Sequence, residues 1–345
     1  MMDERKKKVL QAIVLDYIAT GEPVGSRTIA RRYHLGVSPA TIRNEMADLE
    51  ELGLIEQPHT SAGRIPSDRG YRYYVDFIMK KEELKPYEKE YIQRRFNEKM
   101  REIEQVLEYA TAVISEMTNY AAIAVGPFRS RVSFKKIELL PIERGQALLL
   151  VVTNTGLVDH RILSIPNTIN EVDLRRISKV LTARLKGLAL EELKRSVLDD
   201  IYHQFAAEKE VCRLALELLE QIFNLEGNEE VYLDGTLNIL QQPEFKKDVE
   251  KVRKILAFLE REDAIRRLLV ENPNIGLTVK IGQENAAYNI RECSVISINY
   301  QLGGETIGSM GIIGPTRMNY ARVIPILEFV ANTLSAALTK IYGRE

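Results

Sequence analysis

Along the first eighty residues the apolar positions recur at helical spacing, and glycines and capping residues break the pattern into elements. Leu10, Ile13, Val14, Tyr17 and Ile18 make one stripe of a helix running from about Asp3 to Ala19, with Asp3 as its cap and Gly21 as its stop. Ser26 is read as the cap of a short second helix that turns Ile29, Ala30 and Tyr33 inward. Leu35-Gly36-Val37 forms a turn. Ser38 caps a third helix and Pro39 takes its first position, where a missing N–H costs nothing. Ile42, Met46 and Leu49 are its buried line, and Gly53 ends it. Leu54 to Glu56 reads as a strand, His59 to Gly63 as a hairpin tip, and Arg64-Ile65 as the return; Pro58 and Pro66 suit only an edge. Ser67 caps a further helix with Tyr71, Val75 and Ile78 on one side. This order predicts a winged helix-turn-helix in residues 1–80, which places one helix end in a DNA major groove.

Beyond it the periodicity changes. Lys80 to Pro86 is charged and poor in apolar residues, as in a hinge or linker. From Tyr87 to Asn119, Met100, Ile103, Leu107, Ala110, Ile114 and Met117 follow three-four spacing; so few heptads favour a long helix laid on a sheet over a coiled-coil seam. The runs 121–125, 132–140, 147–152 and 157–165 are β-rich and separated by turns, which predicts an antiparallel meander. The pattern is helical over 171–225, strand-like at 231–233 and helical again over 245–270. Strands return at 277–281, 294–300 and 306–313, before a last amphipathic helix over 319–341. Strands, a helical block and strands again imply one sheet domain carrying an inserted unit, and hence a multidomain α+β chain.

The 345 residues leave room for two or three domains. No apolar run approaches the ~18 residues of a membrane span. The start MMDERKKKVL has neither an apolar stretch nor a cleavage site, so a cytoplasmic protein is expected. Cys212 and Cys293 match no metal spacing. Net charge is −1, yet Ser26 to Asn44 holds Arg27, Arg31, Arg32 and Arg43 with no acid, and His59 to Tyr74 holds Arg64, Arg69 and Arg72 against Asp68. A neutral chain with basic stretches at one predicted surface fits a specific DNA binder better than a bulk nucleic-acid coat.

On the third helix the residues opposite the buried line are Ala40, Asn44, Asp48 and Glu51, flanked by Thr41 and Arg43. Its first two turns are short, polar or cationic, whereas its last turn is acidic, so only the N-terminal half is expected near DNA. Arg43 can give two hydrogen bonds to guanine and Asn44 can pair with adenine. Thr41, Arg43 and Asn44 are therefore the base-reading candidates. Ser26, Arg27, Thr28, Arg31 and Ser38 suit phosphates, as do His59, Ser61 and Arg64 of the wing. Tyr71, Arg72 and Tyr73 are further candidates for backbone phosphate, Tyr71 being better suited to packing. The glycines from Gly303 to Gly314 lack a nucleotide-loop spacing and read as a hairpin and a close-packed strand. The four histidines, His34, His59, His160 and His203, form no ligand set, and no catalytic constellation, metal site or cofactor site is evident.

The stretch SRTIARRYHLGVSPATIRNEMADLEELGLIEQPHTSAGRIPSDRGYRYYVD resembles the DNA-binding part of the HrcA family, the heat-inducible transcription repressors. ETIGSMGIIGPTRMNYARVIPILEFVANTLSAAL looks like the closing strand, turn and helix of that family's GAF-like domain. The resemblance implies a winged-helix domain in 1–80, a GAF-like antiparallel-sheet domain in 87–188 and 272–345, and an inserted, mostly helical dimerising unit in 189–271. It implies a homodimer on an inverted-repeat operator of heat-shock and chaperonin genes, with chaperonin maintaining the active fold. It implies no enzyme activity, no cofactor and no membrane association. Two rival readings are a regulator that senses a small molecule through the GAF-like domain, and an enzyme carrying a DNA-targeting domain.

Overall fold

Asp3 accepts a hydrogen bond from the Lys6 amide at 2.8 Å and so starts α1 (Glu4–Thr20), which Gly21 ends in a left-handed conformation. A computed structural model describes residues 2–59, 62–96, 103–127, 133–154, 158–188, 211, 213–215, 217–218, 229–246, 248–270 and 276–342. In α2 (Ser26–Arg32) the cap is Gly25 and not Ser26, which already has helical geometry, so no side chain closes the first turn. Ser38 caps α3 (Pro39–Glu51) as expected, accepting from the Thr41 amide at 3.1 Å. The wing strands β1 (Ile55–Glu56) and β2 (Ile65–Pro66) pair antiparallel, and Val24 exchanges backbone hydrogen bonds of 2.8 and 2.9 Å with Arg64 beside them. Ser67 caps α4 (Asp68–Tyr73), which continues as one π turn, Tyr74–Ile78. That turn shifts the helical register, so Tyr74 is buried while Val75 and Ile78 are half-buried. A Cβ on Gly70 would fall 1.9 Å from the Leu54 carbonyl, so only glycine lets α4 lie this close to the start of β1.

The helix expected over 87–119 appears as α5 (Pro86–Phe96) and α6 (Ile103–Thr118); residues 97–102, with Met100, lie outside the described set. Ile103, Leu107, Ala110 and Ile114 are buried as their spacing requires. The following strands are β3 (Ala121–Val125), β4 (Phe134–Glu143), β5 (Gln146–Thr153) and β6 (Val158–Ser164), then α7 (Glu171–Leu185). After β7 (Val231–Asp234) come α8 (Thr236–Gln241), α9 (Pro243–Lys246), α10 (Val249–Leu259) and α11 (Glu262–Val270). The chain then forms β8 (Leu277–Ile281), β9 (Cys293–Leu302), β10 (Glu305–Pro315) and α12 (Tyr320–Tyr342).

The four strands expected as one meander divide between two sheets. β3 joins a five-stranded sheet of order β7-β3-β10-β9-β8, while β4-β5-β6 forms a sheet of its own. The reason lies in the side chains. Every residue of β3 is buried and apolar, the composition of an interior strand. β4 to β6 alternate, and one face (Ile137, Leu139, Ala147, Leu149, Val151, Leu163) packs with Leu174, Ile177, Leu181 and Leu185 of α7 and with Val211, Leu214, Ala215 and Leu218. Accordingly the chain forms two compact units: Met1–Ala124 with Val231–Asn299 and Ser309–Leu334, and Val125–Glu230 with Tyr300–Gly308 and Ser335–Glu345. The second unit thus gathers three stretches of the chain, and α8 to α11 belong with the first unit. Residues 189–210 and 219–228 of the expected inserted block lie outside the described set.

The glycines near the C-terminus have the structural roles expected of them. Gly303 and Gly304 turn the chain from β9 to β10 with positive φ, and a Cβ on Gly311 would meet the Ile296 carbonyl at 2.8 Å. Among the described residues one helix stretch, Tyr320–Ile341, is long and apolar enough to cross a membrane by length and composition, which the sequence reading did not anticipate. Val323, Ile324, Leu327, Val330, Leu334 and Leu338 on it are buried in the protein.

Within the first unit the winged-helix region is seated on the five-stranded sheet. Glu82 donates its amide to the Ala321 carbonyl at 2.9 Å and Lys81 pairs with Glu328 at 2.6 Å, so the segment expected as a hinge is itself fastened. Tyr71 is buried with its ring 6.0 Å from that of Tyr320. Arg317 donates to the Ile18 carbonyl in the last turn of α1 at 2.8 Å and pairs with Glu244.

Candidate nucleic-acid interface

The end of α3 that the sequence directs at DNA is open to solvent. Ser38, Pro39, Ala40, Arg43 and Asn44 are exposed and Thr41 is half-exposed, while Ile42, Met46 and Leu49 are buried. The Thr41 hydroxyl lies 3.0 Å from that of Ser38, within hydrogen-bond reach of the cap. The cap and the amides of the first turn therefore present a fixed, partly positive surface flanked by Thr41, Arg43 and Asn44. Arg27 is exposed at the start of α2 with Arg31 one turn on; Ser26 and Thr28 are half-exposed between them.

Ion pairing sorts the cations of this region into two groups. Arg27, Arg31 and Arg43 take part in no ion pair among the described residues. Arg32, Arg64, Arg5 and Lys6 are committed to carboxylates. Arg32 bonds Asp16 at 2.6 Å, and Arg64 reaches Glu50 with Nε at 3.0 Å and Nη2 at 2.8 Å. Arg5 bonds Glu45 at 2.6 Å, and Lys6 lies 3.2 Å from Glu45 and 3.0 Å from Asp48. The Asp48 and Glu45 carboxylates hold the Lys6 ammonium above its ordinary pKa. Three of the acids on α3 are thus neutralised from within the domain, while Arg43 in its N-terminal half, with Arg27 and Arg31 on α2, stays out of ion pairs among the described residues. The sequence reading missed Arg5 and Lys6, since nothing in the pattern of α1 reveals a partner forty residues away.

The wing departs from expectation at Arg64. Arg64 is not an independent phosphate donor in this conformation: its guanidinium ties the return strand to α3. Gly63 is small because a Cβ there would meet the Val24 backbone at 2.6 Å, so the protein itself makes the close approach. His59 is exposed at the tip, where Gln57 donates to the Ala62 carbonyl at 3.2 Å. Ser61 lies outside the described residues. Arg72 and Tyr71 are not at this surface either, Tyr71 being buried and Arg72 bonded to Glu284. Among the described residues no group of three His, Cys, Asp or Glu side chains could hold a metal ion.

Comparison with known proteins agrees with this geometry. The family described as "Winged helix-turn-helix transcription repressor, HrcA DNA-binding" matches residues 1–75, and "HrcA protein C terminal domain" matches residues 104–324. A heat-inducible transcription repressor HrcA from Moorella thermoacetica is 58% identical over 342 residues, covering 99% of both chains. One from Pelotomaculum thermopropionicum is 48% identical over 341 residues, covering 99% of this chain and 98% of the other. A crystal structure described as that of a hypothetical protein at 2.2 Å resolution has a TM-score of 0.60 and 25% identity, covering 99% of this chain and 98% of its own.

Proposed function

Because the chain belongs to the HrcA family of heat-inducible transcription repressors, we propose that it binds an inverted-repeat operator of heat-shock and chaperonin genes as a homodimer and represses them. The observation that carries this reading is the exposed N-terminal half of α3 with its uncommitted Arg43, beside Arg27 and Arg31 of α2. Thr41, Arg43 and Asn44 read base edges in the major groove. Arg27 and Arg31, with Ser26, Thr28 and Ser38, hold phosphates and fix register. His59, exposed in the wing, and Ser61 would contact the flanking backbone.

An inverted repeat asks for two readers related by a two-fold axis. The outward face of the three-stranded sheet supports pairing. Its cross-strand rows are Leu140, Leu148 and Ile162; Glu138, Leu150 and His160; and Lys136, Val152 and Val158. Leu140, Val158 and Ile162 are exposed there. A sheet face on which Leu140, Val158 and Ile162 stand exposed among a few charged positions suits a subunit interface. Chaperonin enters the reading through the same face, which an unpaired subunit leaves open to it.

The test is a mobility-shift titration on an inverted repeat from upstream of the host's chaperonin genes, on its single half-site and on random DNA. Arg43→Ala is expected to cost about 1–3 kcal/mol on the repeat and little on random DNA. Equal loss on both would remove Arg43 from base reading. Equal affinity for repeat and half-site would remove the homodimer.

A further inference from the structure

Arg72 stands where a phosphate contact was expected, yet its guanidinium is fully engaged elsewhere. Nε donates to one Glu284 oxygen at 2.9 Å, and Nη2 donates to the other and to the Val279 carbonyl. Nη1 pairs with Asp76 at 3.1 Å. A turn earlier, Asp68 accepts from the Gln283 amide at 2.9 Å, and a Cβ on Gly282 would fall 2.1 Å from the Asp68 carboxylate. A two-pronged guanidinium–carboxylate contact fixes direction as well as distance. With Arg317 bonded to Ile18 of α1 and Lys81 paired with Glu328 of α12, it restrains rotation of the winged-helix region about its tether to the sheet.

We infer that Arg72, by clamping α4 to Glu284 and Val279, sets the angle of the DNA-reading helix and so the half-site spacing that a pair of subunits accepts. The inference rests on the homodimer reading. Each base pair added between half-sites rotates one of them by about a tenth of a helical turn. Two rigidly held readers therefore gain full advantage from the second contact at one spacing only. Readers on a loose tether share a smaller advantage among many spacings. Arg72 is a positioning residue in this scheme, and it touches no DNA.

The test uses the full-length protein and mobility-shift titrations on inverted repeats whose spacer is changed one base pair at a time, with the single half-site as reference. Wild type is expected to peak sharply at one spacer. Arg72→Ala and Glu284→Ala should each lower affinity at that spacer by roughly tenfold, flatten the profile and leave half-site affinity within about twofold. Neither should change the salt dependence on the half-site. A profile unaltered in both variants overturns the inference while leaving the dimer intact. So does a salt slope flattened by about one unit in Arg72→Ala with tighter binding in Glu284→Ala, because Arg72 would then be a phosphate contact. A wild-type profile with no peak overturns the inference, and one that also lies at half-site affinity at every spacer removes the homodimer with it. Reversal of the pair, Arg72→Glu with Glu284→Arg, guards against misfolding of a single variant. A double variant that melts like wild type should regain the peak, and one that melts like wild type with a flat profile counts against the clamp.

Discussion

Arg5 offers a direct test of how the reading helix is held. Glu45 sits on the buried side of α3 at 5% exposure, and the Arg5 guanidinium is its best-aligned partner at 2.6 Å. Arg5→Ala removes that donor and leaves the carboxylate in place. Stranding a fully buried charge costs about 3–5 kcal/mol, whereas an exposed ion pair is worth about 0.2–1 kcal/mol. Here one partner is buried and the other, at 53% side-chain exposure, is screened by water. Lys6 also remains 3.2 Å from the carboxylate. An intermediate cost of about 1–2 kcal/mol follows. Glu45→Met is the informative contrast. It removes the charge, fills a similar volume and strands nothing, so it should lie within about 1 kcal/mol of wild type or be more stable. Amide hydrogen exchange of α1 and α3 in the full chain is the suitable assay, since unfolding of a chain with two compact units need not be two-state. Arg5→Ala should speed exchange there by roughly five- to thirtyfold, and Glu45→Met should not. Equal acceleration in both, or a larger effect of Glu45→Met, would refute the argument that charge compensation holds the helix.

Ser38→Ala should cost about 1 kcal/mol of local stability and weaken half-site binding, while Ser38→Gly should cost only a few tenths; equal losses in exchange and gel shift would show that the hydroxyl does not cap α3. Burial raises the Asp68 carboxyl above its ordinary 3.8, with the Gln283 amide opposing and Glu284 reinforcing the shift. Its contribution to stability is thus full below 3.8 and is lost as pH rises through the raised value, so Asp68→Asn should be neutral or stabilising at pH 7. A pH-dependent melt in which Asp68→Asn is clearly less stable at pH 7 than at pH 4, relative to wild type, would reverse that sign. Burial pushes the Cys293 thiol up to about 12, so iodoacetamide at pH 8 should label it only after denaturation, as read by peptide mass mapping. Rapid labelling of the native chain at Cys293 would contradict its burial.

The winged-helix region was legible because its signals are local. Asp3, Ser38 and Ser67 cap helices, Gly21 and Gly53 take positive φ next to helix ends, and each acts within a few residues of itself. Ser26 failed as a cap because Gly25 before it has the extended geometry that a cap needs, a choice one residue wide that propensity does not resolve. The grouping of strands was harder to read. The runs 121–125 and 132–140 both read as β-rich, and their difference, β3 wholly apolar and buried on both faces against a charged, alternating β4, says which is interior but not which strands it pairs with. Arg64 and Arg72 were assigned to phosphate because a sequence displays charges but not their long-range partners. Glu50 is fourteen residues from Arg64, and Glu284 is 212 from Arg72. The charges that did keep their expected freedom, Arg27, Arg31 and Arg43, sit in the stretch from Ser26 to Asn44 that holds no acid at all.

The uncovered side of the β4-β5-β6 sheet ties the proposed repressor to its own abundance. Association is second order in subunits, so halving the number of copies lowers the paired fraction more steeply than the total. Genes held down by the pair would be released by dilution as well as by warming. A growing cell that fails to replenish this chain would raise its chaperone supply even at constant temperature.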